Sequence, residues 1–444
     1  MHTSARTSWV AGRARDGAST SEIRSPYDAR VVGSHGIPSA SDVEEAVAAA
    51  HAVRREFVGT SAHRRASALD HVSARLRERR EEIAQLISAE SGKPIRWARV
   101  EVTRAVSTFR WAAEEARRWS GELQRLDTEP GSERRITLNR RVSRGVVLGI
   151  APFNFPLNLV AHKVAPAIAV GSPIIVKPAP ATPLTALVLG EILAEADLPG
   201  GSWSVLPVSN DVASQLVGDP RLSVISFTGS VPVGWSIRDA VPRKHVTLEL
   251  GGNAAVVIDS DYDSPSDLER AAQRVALFAM FQGGQACISV QRVFALDGIA
   301  ERFTAALLAA VERLRVGDPA DEGVDVGPLI DERAAKRVVS WVAEAVDAGA
   351  DLLTGGDREG STVRPTVLTR VPADAKVVAE EIFGPVVVVE SVASIDEAFA
   401  RVNDSRFGLQ AGVFSHDLAT AFRAARELEV GGVIIGDVPS FRAD

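Results

Sequence analysis

The only cysteine of this 444-residue chain, Cys287, lies in GGQACISVQR (283–292). A free thiol either packs as a small apolar group or, as a thiolate, attacks an electrophilic carbon. Other residues carry groups suited to assist an attack. Asn154, in APFNFP, is an amide donor held between two prolines just past an apolar run. An amide fixed that way can stabilise an oxyanion, and its plainer use is to form a turn. Glu249, in TLELGG, is a carboxylate inside an apolar run. Burial there would raise its pKa towards the range of a general base. Lys177 closes the run IIVK and suits either an acid partner or a ribose hydroxyl or phosphate. The turn FTGS (227–230), with Gly234 just beyond, lets backbone N–H groups meet a phosphate at a helix N-terminus, or is simply tight. Neither GxGxxG nor GxxxxGK[ST] occurs in the chain.

The elements that must position these groups alternate from Gly145 onward. Apolar runs at 145–151, 173–177, 203–208, 222–227 and 245–250 read as strands, with helices near 157–170, 184–196, 211–217 and 232–240 between them. Such alternation predicts a parallel sheet covered on both faces, with ligands at the carboxyl ends of its strands. A second α/β pattern starts near Gly251. Its strands fall near 254–258, 385–392, 411–415 and 431–435, and its helices near 264–281, 300–313, 331–348 and 418–428. Ahead of both, helices are expected over 41–56, capped by Ser41 and Glu44, and over 65–90 and 98–119. Residues 122–143 read as a hairpin or projecting ribbon.

Composition narrows the class. A net charge of −7 argues against a nucleic-acid partner that needs a broad basic face. One cysteine excludes an internal disulfide and a zinc–thiolate cluster, and no close histidine pair such as HExxH occurs, so no metal is expected. The lone thiol fits a reducing compartment, and a cytoplasmic location is expected. The most apolar stretch, 155–176, holds His162, Lys163 and three prolines and is too polar to span a bilayer.

Six motifs in order, PFNFPLN, VKPA, FTGS, LELGGN, GQACIS and EEIFGP (380–385), make the chain resemble the aldehyde dehydrogenase superfamily from about Trp9 to its last residue. A start at Trp9 leaves too little chain for a cleavable targeting peptide. The resemblance implies an α/β fold with a Rossmann-like parallel-sheet cofactor domain, 1–121 and 144–250, and an α/β catalytic domain, 251–430. It makes 122–143 an oligomerisation hairpin and 431–444 a return to the cofactor and oligomerisation region, stopping short of the family's last strand.

By the same resemblance Cys287 is the nucleophile, Asn154 the oxyanion donor and Glu249 the base that activates water. Lys177, Gly229, Ser230, Gly234, Phe153, Leu250, Glu381 and Phe383 match cofactor-binding positions. The cofactor is NAD or NADP, with NAD favoured. Three departures stand out: Pro180 replaces a glutamate that binds the ribose in many NAD-specific relatives, Pro207-Val208-Ser209-Asn210 replaces a glycine-bearing stretch, and the chain stops at Asp444. CISVQR and DVPSFRAD look most like the branch acting on lactaldehyde, glyceraldehyde phosphate, semialdehydes and phosphonoaldehydes. Arg104 and Arg442 are then candidate partners for the substrate's anion. The implied assembly is a homodimer or homotetramer with no membrane partner. The alternatives are transfer of the thioester to coenzyme A, or a non-catalytic homologue that only binds.

Overall fold

The computed structural model describes residues 5–440, which fall into two compact units. The first gathers the chain up to Ile23, Val31–Leu86 and Arg99–Glu249; the second gathers Arg24–Arg30, Ile87–Ala98 and the chain from Leu250 on. The sequence signalled neither short excursion into the second unit.

The first unit is built on seven strands: β1 (Ser8–Val10), β2 (Arg13–Arg15), β3 (Val146–Ile150), β4 (Ile174–Lys177), β5 (Trp203–Val205), β6 (Leu222–Thr228) and β7 (His245–Glu249). Their spatial order is β7-β6-β3-β4-β5-β1-β2, and the five from β3 to β7 pair in parallel. β3 and β4 are buried along their whole length, as strands covered on both faces must be. The chain runs from β3 outward to β5 and then returns to β6 on the other side of β3. The order therefore reverses between β3 and β6, and that is where an open α/β sheet offers a crevice.

The helices that matter here are α1 (Ile95–Arg118), α2 (Asn158–Ala169), α3 (Asn210–Gly218) and α4 (Val231–Ala240). The expected hairpin consists of Glu122–Arg125 paired antiparallel with Ile136–Asn139.

The second unit carries β8 (Ala255–Ile258), β9 (Arg292–Leu296), β10 (Asp351–Thr354), β11 (Thr366–Thr369), β12 (Val386–Val392), β13 (Gln410–Phe414) and β14 (Gly432–Ile435), ordered β10-β11-β12-β9-β8-β13-β14. All its pairs are parallel except β10 with β11. Helices α5 (Pro265–Met280) and α6 (Glu332–Asp347) belong to it. Phe294, Phe303 and Phe414 lie in its main apolar core.

Some expectations need correction. The central strand β9 opens on Arg292 and runs directly into the helix Asp297–Glu312, so its five residues did not stand out. Residues 432–435 form β14 of the second unit's sheet. They pair in parallel with β13, where Val433 packs on the second unit's core. The first helix is capped by Ser39, not Ser41. Ser39 Oγ accepts from the Asp42 N–H, and Asp42 accepts from the Ser39 N–H at 2.8 Å. The run 65–90 is two helices, Ala62–Glu78 and Arg80–Ser91, parted at Arg79.

Among the described residues no helix is long and apolar enough to cross a membrane. Phe294 is 2% exposed on the central strand. Phe294→Ala is expected to cost about 3–5 kcal/mol, read as an earlier denaturant midpoint for the second unit.

Candidate active site

In the first unit, Gly234 lies in the first turn of α4, and the other cofactor and catalytic candidates between Phe153 and Glu249 stand at or just beyond the carboxyl end of a parallel strand. Phe153 and Asn154 follow β3, Lys177 ends β4, Gly229 and Ser230 follow β6, and Glu249 ends β7. The loop carrying Asn154 is held from outside. Glu101 on α1, 1% exposed, accepts through Oε1 from the N–H groups of Leu157 (2.9 Å) and Asn158 (3.1 Å). That carboxylate serves the start of α2, whose own cap residue Leu157 offers no side-chain bond. Thr182 donates to the Phe153 carbonyl at 3.3 Å, and Asn154 itself is 4% exposed.

Lys163 on α2 was visible in the sequence only as a polar interruption. It is 5% exposed and donates to Ser226 Oγ at 3.2 Å and Thr228 Oγ1 at 2.8 Å on β6. Burial lowers its pKa to about 7, and Glu249 acts in the opposite direction. Gly149 makes room for it, because a Cβ there would lie 3.2 Å from Lys163 Cδ. The clue was the same as for Glu249: a charge inside an apolar run.

Glu249 itself differs from expectation. It is exposed, because β7 is the edge strand, pairs only with β6 and alternates between outward and inward residues. The burial argument for a general base therefore does not hold, although its strand-end position does. Arg104 lies on α1 between Glu101 and Thr108, which both bond to the start of α2, and its charge reaches His162 on α2.

In the second unit the singled-out residues precede strands. Leu250 to Asn253 lead into β8, Cys287 leads into β9, and Glu381 and Phe383 lead into β12. Cys287 forms no disulfide and is half-buried. The turn before it bends sharply, with positive φ at Gln282 (54°), Gly283 (64°) and Gly284 (70°). A Cβ at Gly284 would sit 2.1 Å from the Gly384 carbonyl oxygen, so only glycine fits. Gln285 is locked at both ends of its amide: Nε2 donates to the carbonyls of Gln282 and Pro328, and Oε1 accepts from the Ile330 N–H at 2.9 Å.

Glu381 lies against the Gly-Gly pair. Its Oε1 accepts from the Gly252 N–H at 3.1 Å, and a Cβ on Gly251 would collide with its Oε2 at 2.1 Å. A Cβ on Gly252 would stand 2.7 Å from the Cys287 carbonyl oxygen. Burial raises the Glu381 pKa to about 7, against the opposing influence of the Gly252 N–H and Arg337.

Two residues that sequence reasoning passed over hold this loop. Gln291 donates to the carbonyls of Val377 and Glu380 and accepts from the Ile382 N–H; Arg337 on α6 donates to the Ile382 carbonyl at 2.7 Å. Phe383 has φ of 47°, a strained value for a side chain of its size. Arg292, close to Cys287 in sequence, turns inward and donates to the carbonyls of Asn253, Arg401 and Val402, which makes it a structural arginine. Arg442 lies outside the described residues. Among the described residues, no group of three or more His, Cys, Asp or Glu could hold a metal.

Residues 12–444 match the family model described as the aldehyde dehydrogenase family. The chain belongs to that family. The 3-sulfolactaldehyde dehydrogenase of Priestia aryabhattai is 40% identical over 438 residues, 98% of this chain and 90% of that protein. The crystal structure of aldehyde dehydrogenase 21 from Physcomitrella patens, in complex with the reaction product succinate, superposes with a TM-score of 0.96 at 41% identity, covering 99% of this chain and 92% of that one. NADP-dependent glyceraldehyde-3-phosphate dehydrogenase from Bacillus halodurans C-125, complexed with NADP, gives 0.94 at 32% identity, with 99% and 92% covered. This aldehyde dehydrogenase is thus an aldehyde-oxidising oxidoreductase that uses a nicotinamide cofactor.

The donor set of the structure suits that cofactor. Ser230 caps α4 without a side-chain bond, so the opening N–H groups of this ten-residue helix are available to a phosphate. In the same unit Lys177 offers an ammonium at a strand end.

Titration of Glu381 gives a stability signature. Between pH 4.5 and about 7 the folded chain holds a proton that the unfolded chain has released, so this group's contribution to stability is lost as pH rises through that window. Chemical denaturation at pH 5 and pH 8 should show the loss, up to about 3 kcal/mol, diminished in Glu381→Gln.

Proposed function

We propose that this aldehyde dehydrogenase converts a small anionic aldehyde to its carboxylic acid through a thioester on Cys287. The observation that carries this reading is the fixing of the backbone around one half-buried thiol by Gly252, Gly284 and Gln285. A cysteine that merely fills a core needs no such framing.

The Cys287 thiolate adds to the aldehyde carbon. A C–S bond forms and the carbonyl pair moves onto oxygen, giving the thiohemiacetal. The Asn154 amide and the Cys287 N–H donate to that oxygen as charge builds. The nicotinamide, when bound, supplies the hydride acceptor that turns this carbon into a thioester. Glu249 then takes a proton from water, the water oxygen adds to the thioester carbon, and the C–S bond breaks to release the acid and the thiolate. The exposed position of Glu249 suits contact with water.

Lys177, Gly229, Ser230, Gly234 and Phe153 hold the adenosine and pyrophosphate portions of the cofactor. Glu381, Phe383 and Leu250 hold the nicotinamide portion. Arg104 takes the substrate's anion. A sulfonate, a carboxylate and a phosphate feature in the names of the three relatives' substrates or product, and this supports an anionic aldehyde here too. The hairpin joins copies of the chain into a dimer or tetramer through Leu123, Ile136 and Leu138, which are 68%, 66% and 75% exposed.

Cys287→Ala is expected to abolish aldehyde oxidation, with a loss above about a thousandfold. Asn154→Ala should lower kcat by about 10²–10³ with little change in cofactor affinity. Glu249→Gln should release about one equivalent of reduced cofactor per active chain in stopped flow and then stall. Full turnover by Cys287→Ala, or steady wild-type turnover by Glu249→Gln, would overturn the mechanism. Arg104→Ala should raise KM for an anionic aldehyde about tenfold or more and leave an uncharged one of equal length little changed. Leu138→Asp should lower the mass seen by sedimentation.

A further inference from the structure

The stretch after β5 departs from a glycine-bearing pattern by placing Asn210 at the first turn of α3. Ser209 caps that helix, accepting from the Val212 N–H. This frees the neighbouring Asn210 side chain from capping. Its Oδ1 instead accepts from Lys177 Nζ at 2.8 Å, across the ends of the adjacent parallel strands β4 and β5. Lys177 is 3% exposed, whereas Asn210 is exposed, so the pair runs from the sheet's end to the surface.

With Oδ1 turned to the lysine, the amide's Nδ2 points its two hydrogens away from it. The pair then presents an ammonium and an amide N–H₂, all donors. Three residues beyond Lys177 along the chain, Pro180 stands where the resemblance expects a ribose-binding carboxylate that would repel an anion. Burial alone accounts for the lowered Lys177 pKa, about 8, with no acidic neighbour contributing. A buried ammonium bonded to a neutral amide gains from any anion that reaches it.

We infer that Asn210, through its bond to Lys177, is a specificity-determining residue that selects a cofactor bearing a 2′-phosphate, so that NADP is preferred over NAD. This rests on the proposed placing of the adenosine ribose at Lys177. It goes beyond that placing by assigning the choice to a residue with no other role in the site. The physical reason is that phosphate is all acceptor and doubly charged, while a ribose hydroxyl also seeks an acceptor. The Lys177–Asn210 pair supplies only donors. The inference departs from the sequence reading, which favoured NAD.

The test is binding of NADP and NAD to the full chain by isothermal titration calorimetry without aldehyde, alongside thermal melts of each variant. Wild type should bind NADP at least about tenfold more tightly than NAD. Asn210→Asp puts a carboxylate on Lys177, which neutralises the ammonium and repels the phosphate. It should weaken NADP by a factor of about ten to a hundred and leave NAD equal or tighter. Asn210→Gly keeps the ammonium and removes the amide, and should weaken NADP only severalfold with NAD unchanged.

Equal wild-type affinities, or an unchanged NADP-to-NAD ratio in both variants, would overturn the inference. Should Asn210→Asp fail to fold, Asn210→Gly still decides through that ratio. Failure of the Cys287 chemistry would appear differently, as intact selective binding with no aldehyde turnover.

Discussion

Two glycine α-carbons set the geometry on which the second unit's chemistry depends. Gly251 has no side chain because the Glu381 carboxylate occupies the space a Cβ would take, and Gly252 has none because the Cys287 carbonyl lies there. The Gly252 N–H then reaches Glu381 Oε1. Three segments far apart in sequence, ending in Gly252, Cys287 and Glu381, are locked together by backbone at van der Waals range. Any side chain at these glycines would push the thiol loop and the carboxylate loop apart. The carboxylate is held there although burial raises its pKa to about 7.

The first unit solves a related problem with buried amines. Lys163 and Lys177 are both nearly excluded from solvent, and burial depresses the pKa of each. Each is bonded to neutral oxygens, the hydroxyls of Ser226 and Thr228 for one and the Asn210 amide for the other. The parallel sheet makes this workable, because strand ends bring β3, β4 and β6 and the loops after them into one row. Positions that face solvent in an isolated strand are gathered there into a polar edge above an apolar core. Glu101 shows the cost of the arrangement. The start of α2 has no cap of its own, and a buried carboxylate from α1 supplies the acceptor.

β3 and β4 were legible because each is a continuous apolar run bounded by glycine, proline or a polar turn, the pattern of a strand covered on both faces. The central strand β9 was not, since it begins on a buried arginine and adjoins a helix without a break. Cys287, Asn154 and Glu249 stood out because their chemistry is uncommon in apolar surroundings. Glu101, Gln291 and Arg337 did not, for their importance lies in backbone groups they reach across 50 residues or more of chain in two cases and 45 in the third. No local pattern encodes such a distance. Glu249 shows the converse: an apolar run suggested burial, but a strand at the sheet's edge has one side open, and strand order is not written in the run itself.

By itself, then, the amino-acid sequence determined which chemical groups this aldehyde dehydrogenase carries and in what order, along with the alternation that requires two parallel-stranded sheets. These follow from side-chain type and short-range periodicity, which a linear string contains in full. Tertiary structure alone decided that Arg292 is a structural residue, that Glu249 is open to water, and that Gly251 and Gly252 are the contact surface for Glu381 and Cys287. It also decided that Asn210 meets Lys177. The reason is the same in each case: burial, edge position and close approach are properties of neighbours, and a residue acquires its neighbours only when the chain folds.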